Sequence, residues 1–121
     1  MKILDCTLRD GGYYTNWDFD KLLVDTYIKS MDKNPIDYIE VGYRSAPMSN
    51  YYGKYFYCPK YELEDLRKKT SKKLAIILNE KDVSPAQVEK LLAPIEGIVD
   101  MVRIAIDPKH ISRAINLTKE I

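Results

Sequence analysis

The chain holds one histidine, His110, so no histidine cluster can gather a metal within it. It has two cysteines, Cys6 and Cys58, too few for the disulfide framework of a small secreted domain. Neither charge prevails, with 19 Lys and Arg against 18 Asp and Glu. That balance excludes the strong basic field of a nucleic-acid or anionic-membrane binder. No apolar stretch is long enough to span a bilayer, and Met1 leads into an apolar segment with no signal-peptide pattern. The expected location is the cytoplasm. Gly-x-Gly-x-x-Gly and Gly-x-x-x-x-Gly-Lys-Ser/Thr are both absent, which removes the two common nucleotide fingerprints. No Gly/Ser-rich linker, charge block or low-complexity tract divides the chain, so residues 1–121 are expected to form one domain.

What is present is an alternation of strand and helix patterns. Ile3 to Thr7 reads as a short buried strand. Phe19, Leu22, Leu23, Tyr27, Ile28 and Met31 follow helical spacing over Asp18 to Met31, with Asp18 as N-cap and Asn34-Pro35 as stop. Ile36 to Gly42 is a second strand, Tyr61 to Lys69 a short helix, and Lys73 to Asn79 a third strand. The third strand carries a near-continuous apolar run, as parallel sheets buried on both faces require. Ser84-Pro85 opens a helix through Leu92. Met101 to Ile106 is the fourth strand, and Asp107-Pro108 opens a last helix to about Glu120. Four βα units without hairpin signals predict an α/β fold with a parallel sheet.

Ten tyrosines are the compositional surplus. Tyr43 to Pro59 shows neither helical nor alternating period, and a loop of that length is usually functional or mobile. Its rings could stack on bases, or form a lid or interface loop anchored by amphipathic rings. The balanced charge favours the second. Cys6 is expected to be a small buried apolar residue. Cys58, before Pro59, would be reactive only in a thiolate-stabilising environment.

In a parallel βα fold the carboxyl ends of the strands converge on one face. Those ends carry Arg9 and Asp10, Glu40 and Arg44, Asn79, and Arg103 and Asp107. Strict alternation puts Tyr38, Glu40 and Gly42 on one side of the second strand. Glu40, flanked by Ile39 and Val41, is costly to bury unless paired, and Arg9 is the expected partner. The pair can be read as a site or as a structural ion pair. Asp10 can bind a divalent cation, Arg9 can hold an anionic oxygen beside it, and Gly11-Gly12 can turn the backbone sharply to admit a substrate.

The whole string Asp5-Cys6-Thr7-Leu8-Arg9-Asp10-Gly11, continued by Gly12-Tyr13-Tyr14-Thr15-Asn16-Trp17, resembles the opening of the metal-dependent aldolase/lyase superfamily on a TIM barrel. That group includes 4-hydroxy-2-oxovalerate aldolase, hydroxymethylglutaryl-CoA lyase and isopropylmalate synthase. A complete barrel needs about 250 residues, so the resemblance implies the first four units of an eight-unit barrel, cut from a longer protein. It implies Asp10 as ligand of a divalent metal, Mn²⁺ or Mg²⁺, and Arg9 as stabiliser of the enolate oxygen of a 2-oxo acid. It implies Glu40 as the residue that holds the arrangement. Val102-Arg103-Ile104-Ala105 matches a further pattern of the aldolase-type members, which makes Arg103 a pocket-lining residue with Asn79 and Arg44. The family's His-x-His pair is missing, and Tyr13 and Tyr14 stand where the hydroxyoxovalerate aldolases carry a catalytic histidine. Tyr13 becomes the candidate acid or base. His110 is expected to be an exposed or helix-packing side chain.

The function expected is that of the N-terminal part of an aldolase or lyase, inactive by itself. The alternative is a non-catalytic half-barrel that binds or assembles. A four-strand half-barrel has unpaired edges and an uncovered inner face, so homo-oligomerisation is expected.

Overall fold

The apolar runs of the sequence become four strands of one parallel sheet in the computed structural model, which describes residues 1–121. The strands are β1 (Leu4–Asp5), β2 (Tyr38–Tyr43), β3 (Lys73–Asn79) and β4 (Met101–Ala105). Their spatial order is β1-β2-β3-β4, so each strand pairs with its successor in sequence. That winding is the one a βα barrel requires, and four units of it make a half-barrel. Between the strands run α1 (Thr7–Thr15), α2 (Lys21–Asp32), α3 (Lys54–Tyr57), α4 (Lys60–Lys69), α5 (Pro85–Leu92) and, after β4, α6 (Ile111–Thr118).

The two faces of the sheet are chemically different. Ile39, Leu74, Ile76 and Leu78 point to the helical layer and pack with Val24 and Ile28 of α2, Leu63 and Leu66 of α4, Val88 of α5 and Leu117 of α6. The opposite face carries Tyr38, Glu40, Ala75, Ile77, Met101 and Arg103. The apolar run in β3 is therefore explained by burial on both sides.

β2 departs from strict alternation. Glu40 lies opposite Ala75, but Gly42 lies opposite Ile76, so Val41 is an extra residue. The bulge turns Gly42 toward the helices and brings Tyr43, opposite Ile77, onto the face of Glu40. A Cβ at position 42 would run into the Tyr55 carbonyl oxygen, so the bulge and the α3 backbone fit only around glycine.

Several local expectations change. Only Leu4 and Asp5 pair as a strand at the first unit, and the helix follows at once. Arg9-Asp10-Gly11-Gly12 is consequently helical, not a turning loop; the Asp10 N–H donates to the Cys6 carbonyl at 2.9 Å. Gly12 serves contact instead of turning, because a Cβ there would overlap the Trp17 indole. The next helix starts at Lys21, capped by the Asp20 side chain, which accepts from the Leu23 N–H at 3.2 Å. Asp18, the expected cap, instead accepts from the Tyr51 hydroxyl at 2.6 Å. The last helix begins at Ile111, after a 3₁₀ turn over Pro108–His110 that Asp107 caps.

The Tyr-rich segment is anchored in the core at one end, while Pro47 to Tyr51 stays exposed and irregular. It contains α3, and Tyr55, Phe56 and Cys58 are buried in the core. Trp17 packs against Tyr13, Tyr43, Tyr52 and Phe56, with ring centroids 4.8 to 5.8 Å apart. Aromatic residues without a regular period can still make a core when their backbone is irregular. No helix is long and apolar enough to cross a membrane.

Candidate active site

Glu40 is fully buried, and both of its carboxylate oxygens are occupied. Oε1 accepts from Arg9 Nε at 2.7 Å, and Oε2 accepts from Arg103 Nη1 at 2.8 Å. Two guanidiniums from opposite ends of the chain are thus fixed by one carboxylate on the middle of β2. A buried carboxylate with two charge-assisted bonds meets the condition under which burial of charge is tolerated. With both oxygens engaged, Glu40 orients the two arginines.

Arg9 reaches this position because α1 starts directly after β1. Its Nη1 pairs with Asp10, and its carbonyl accepts the Trp17 indole N–H at 2.9 Å. Burial opposes the charge on Arg9, but the hydrogen bond and charge of Glu40, aided by Asp10, outweigh it and raise the guanidinium pKa. Arg9 Nη2 and Arg103 Nε and Nη2 make no hydrogen bond within the chain. Arg103 is 41% exposed and Asp10 63% exposed at the side chain. The unused N–H donors of the two guanidiniums are the kind of group that stabilises an oxyanion.

Beside them, the Tyr13 and Tyr43 hydroxyls share a hydrogen bond of 2.8 Å. Burial, then the bond to Tyr13, push the Tyr43 phenol pKa up. Cys6 is half-buried and borders this site, its sulfur 3.9 Å from Arg103 Nη1, where a buried apolar position was expected. Burial and the Glu40 charge raise its thiol pKa. Tyr43 and Cys6 are site neighbours that pattern reading did not assign. The Tyr43 signal would have been a bulge in β2, which has no local sequence mark.

Arg44 stands apart, whereas Asn79 lies on the Glu40 face of the sheet at the end of β3, opposite Ala105. The bulge that turns Tyr43 inward turns Arg44 outward, where it donates to the carbonyls of Leu91, Cys58 (2.8 Å) and Tyr57 (3.3 Å). Asn79 Oδ1 accepts from the Lys81 N–H at 3.2 Å, and the residue borders a cavity with Asp107 and His110. His110 Nδ1 lies 3.5 Å from Asp107 Oδ2, remote in sequence and partners from Glu40. Cys58 is buried, which pushes its thiol pKa up and disfavours the thiolate.

The fit to a divalent metal is partial. No three His, Cys, Asp or Glu side chains come together. Asp10 offers one carboxylate oxygen not held by Arg9, whereas Mg²⁺ or Mn²⁺ takes about six ligands. The remaining donors are not among these residues.

With that geometry in place, the comparison with solved structures is decisive for kinship. The fold superposes with a TM-score of 0.95 on the crystal structure of the N-terminal domain of a putative aldolase from Bacteroides vulgatus, at 58% sequence identity. The chain is homologous to that aldolase-like domain. The match covers 99% of this chain and 40% of the other, so the chain spans less than half the length of its relative. No protein-family model matches the chain, and no curated protein does.

Proposed function

We propose that the chain is the N-terminal part of a carbon–carbon lyase of aldolase type, acting on a 2-oxo acid through its enolate. The observation that carries this reading is the buried Glu40 clamping both Arg9 and Arg103, each of which keeps N–H groups free of hydrogen bonds within the chain. When the bond between carbons 3 and 4 of a 4-hydroxy-2-oxo acid breaks, its electron pair forms the C2–C3 double bond of the enolate, the oxo oxygen takes the negative charge, and the C4 hydroxyl gives up its proton to become a carbonyl. Arg9, held by Glu40, donates to the oxo oxygen as its charge grows, which is stabilisation specific to the transition state. Arg103 holds the substrate carboxylate, as a guanidinium suits a planar two-oxygen anion. Tyr13 exchanges the proton of the hydroxyl that becomes a carbonyl, and Tyr43 holds its oxygen in place.

Asp10 would supply one donor to a divalent ion whose other ligands come from outside these residues. Such an ion, Mg²⁺ or Mn²⁺, would contribute Lewis-acid polarisation of the oxo group. The 121 residues alone lack those ligands and are inactive on this reading.

The test is hydrogen–deuterium exchange at the pyruvate methyl group, which reports enolate formation without requiring the partner aldehyde. The complete reading frame containing these residues, with Mn²⁺, is expected to catalyse exchange. Arg9→Ala should lower the rate by about 10²- to 10³-fold, the scale of losing one oxyanion donor. A complete protein that exchanges neither pyruvate nor 2-oxobutyrate would overturn the reading and favour the binding or assembly module.

A further inference from the structure

The exposed aliphatic side chains are not scattered. Every leucine and isoleucine that stands exposed belongs to the first or the fourth βα unit, and none to the two units between them. Single exposed apolar residues need no explanation, but a set confined to two places does. The helical layer runs α2, α4, α5, α6, so α2 and α6 are its ends, just as β1 and β4 are the ends of the sheet.

On each end helix the exposed residues mark the free flank. In α2, Asp25 faces α4, where Lys69 pairs with it at 2.7 Å. Leu23, two residues earlier, lies about 160° round the helix from Asp25. That is the flank without a neighbouring helix, and Leu23 is 58% exposed there. In α6, Arg113 turns toward the segment between β3 and α5, with its Nη1 3.7 Å from Glu80. Ile115, two residues on, lies on the opposite flank, with Ile111 one turn before it. They are 51% and 54% exposed.

The two flanks stand at opposite ends of one layer, so neither can cover the other within a single chain. They fit each other in a second copy. Parallel strands share one direction, and a half-turn about the barrel axis leaves that direction unchanged. It brings β4 of each copy beside β1 of the other, in the parallel sense. Two half-barrels supply eight strands, the number at which side chains fill a parallel barrel. The same half-turn lays α6 of each copy beside α2 of the other, so that Ile111 and Ile115 meet Leu23. The inner faces meet without net charge, since Arg9 and Arg103 balance Glu40 and Asp10. A stable dimer buries about 800 Å² per partner, and each copy brings two apolar flanks and an open sheet face. We infer that the chain forms a two-fold dimer closed edge to edge, with the α2 flank of each copy against the α6 flank of the other. The closure rests on edges and flanks alone and is independent of the lyase reading.

The experiment is sedimentation velocity of the 121-residue chain from about 10 μM to about 500 μM, beside two variants. Leu23→Lys changes the α2 flank, and Ile111→Glu combined with Ile115→Glu changes the α6 flank. All three positions are exposed, so amide NMR should show each variant folded. The wild-type chain is expected to form a dimer, because a half-turn contact closes on itself at two copies. Each variant alone should dimerise about tenfold more weakly or worse, since it sets charge against apolar residues at both contacts. An equal mixture of the two variants should recover a heterodimer. One of its contacts is then wild type on both sides, and the other sets lysine against glutamate. A wild-type chain that stays monomeric throughout would overturn the inference and assign the flanks to a different partner. So would a mixture without heterodimer. Undiminished dimerisation of Leu23→Lys beside loss in the α6 variant would mark α6 packing on its own copy and likewise overturn it.

Discussion

Trp17 donates its indole N–H to the carbonyl oxygen of Arg9 at 2.9 Å, and so ties the aromatic core to the residue that Glu40 holds. The backbone at Trp17 is left-handed, with φ 57°, an unusual conformation for a bulky residue. The indole lies flat against Gly12, so the position of Arg9 depends on a contact three residues further along α1.

Gly12→Ala is accordingly expected to destabilise the chain, although alanine favours helices. The added methyl meets ring atoms of a buried tryptophan, and overpacking of this kind costs about 1–3 kcal/mol. Urea unfolding followed by Trp fluorescence measures it. An unchanged midpoint would show that the indole moves aside freely.

Glu40→Ala should be among the most damaging single changes. It strands Arg9, only 17% exposed, without its partner, and breaking a buried pair costs about 3–5 kcal/mol. Arg103→Ala leaves the buried Glu40 Oε2 without its donor and should cost about 1–3 kcal/mol, less than Glu40→Ala because Arg9 still holds the carboxylate. Comparison of the two urea midpoints tests this ranking, and equal losses would contradict it.

Stability should fall in alkali. Burial raises the phenol pKa of Tyr27, Tyr43 and Tyr55 above the ordinary 10.0, and that of the Cys58 thiol above the ordinary 9.0. In Tyr27 and Tyr43 the hydrogen bonds to Asp5 and Tyr13 add to this, and in Tyr55 the Glu62 charge does. All four groups bind protons more tightly when folded. Their contribution is complete below the unfolded values and is lost as pH rises from there toward the folded values. The unfolding free energy should hold from neutral pH to about pH 9 and decline above it. Absorbance at 295 nm should show these tyrosines ionising only with unfolding. A folded chain whose ten tyrosines all titrate together near the ordinary value would refute the expectation.

The uncovered sheet face leads to a prediction about assembly. Tyr38, Met101 and Ala105 are only half-buried on it, and β1 and β4 are sheet edges. Covering a few hundred Å² of apolar surface contributes several kcal/mol at about 25 cal/mol per Å². Light scattering at high micromolar concentration is expected to show a dimer or larger species. A monomer that also fails to bind a hydrophobic dye would contradict it.

The order of strands and helices was legible in the sequence because each element is marked locally. The apolar run from Leu74 to Leu78 defines β3, and Ser84-Pro85 starts a helix wherever it sits. The Arg9-Asp10 string was legible as a motif, and the need of a buried Glu40 for a cation followed from desolvation alone. Three things were decided only by the tertiary structure. The extra residue at Val41 exchanged the faces of Tyr43 and Arg44, because register is set by the neighbouring strand and not by β2 itself. Tyr43 and Tyr55 became core while Tyr51 stayed exposed, because burial there depends on Trp17 meeting α3, far along the chain, and leaves no period to read. Arg103 joined Glu40 from 63 residues away, since only closure of the sheet sets the distance between two strand interiors.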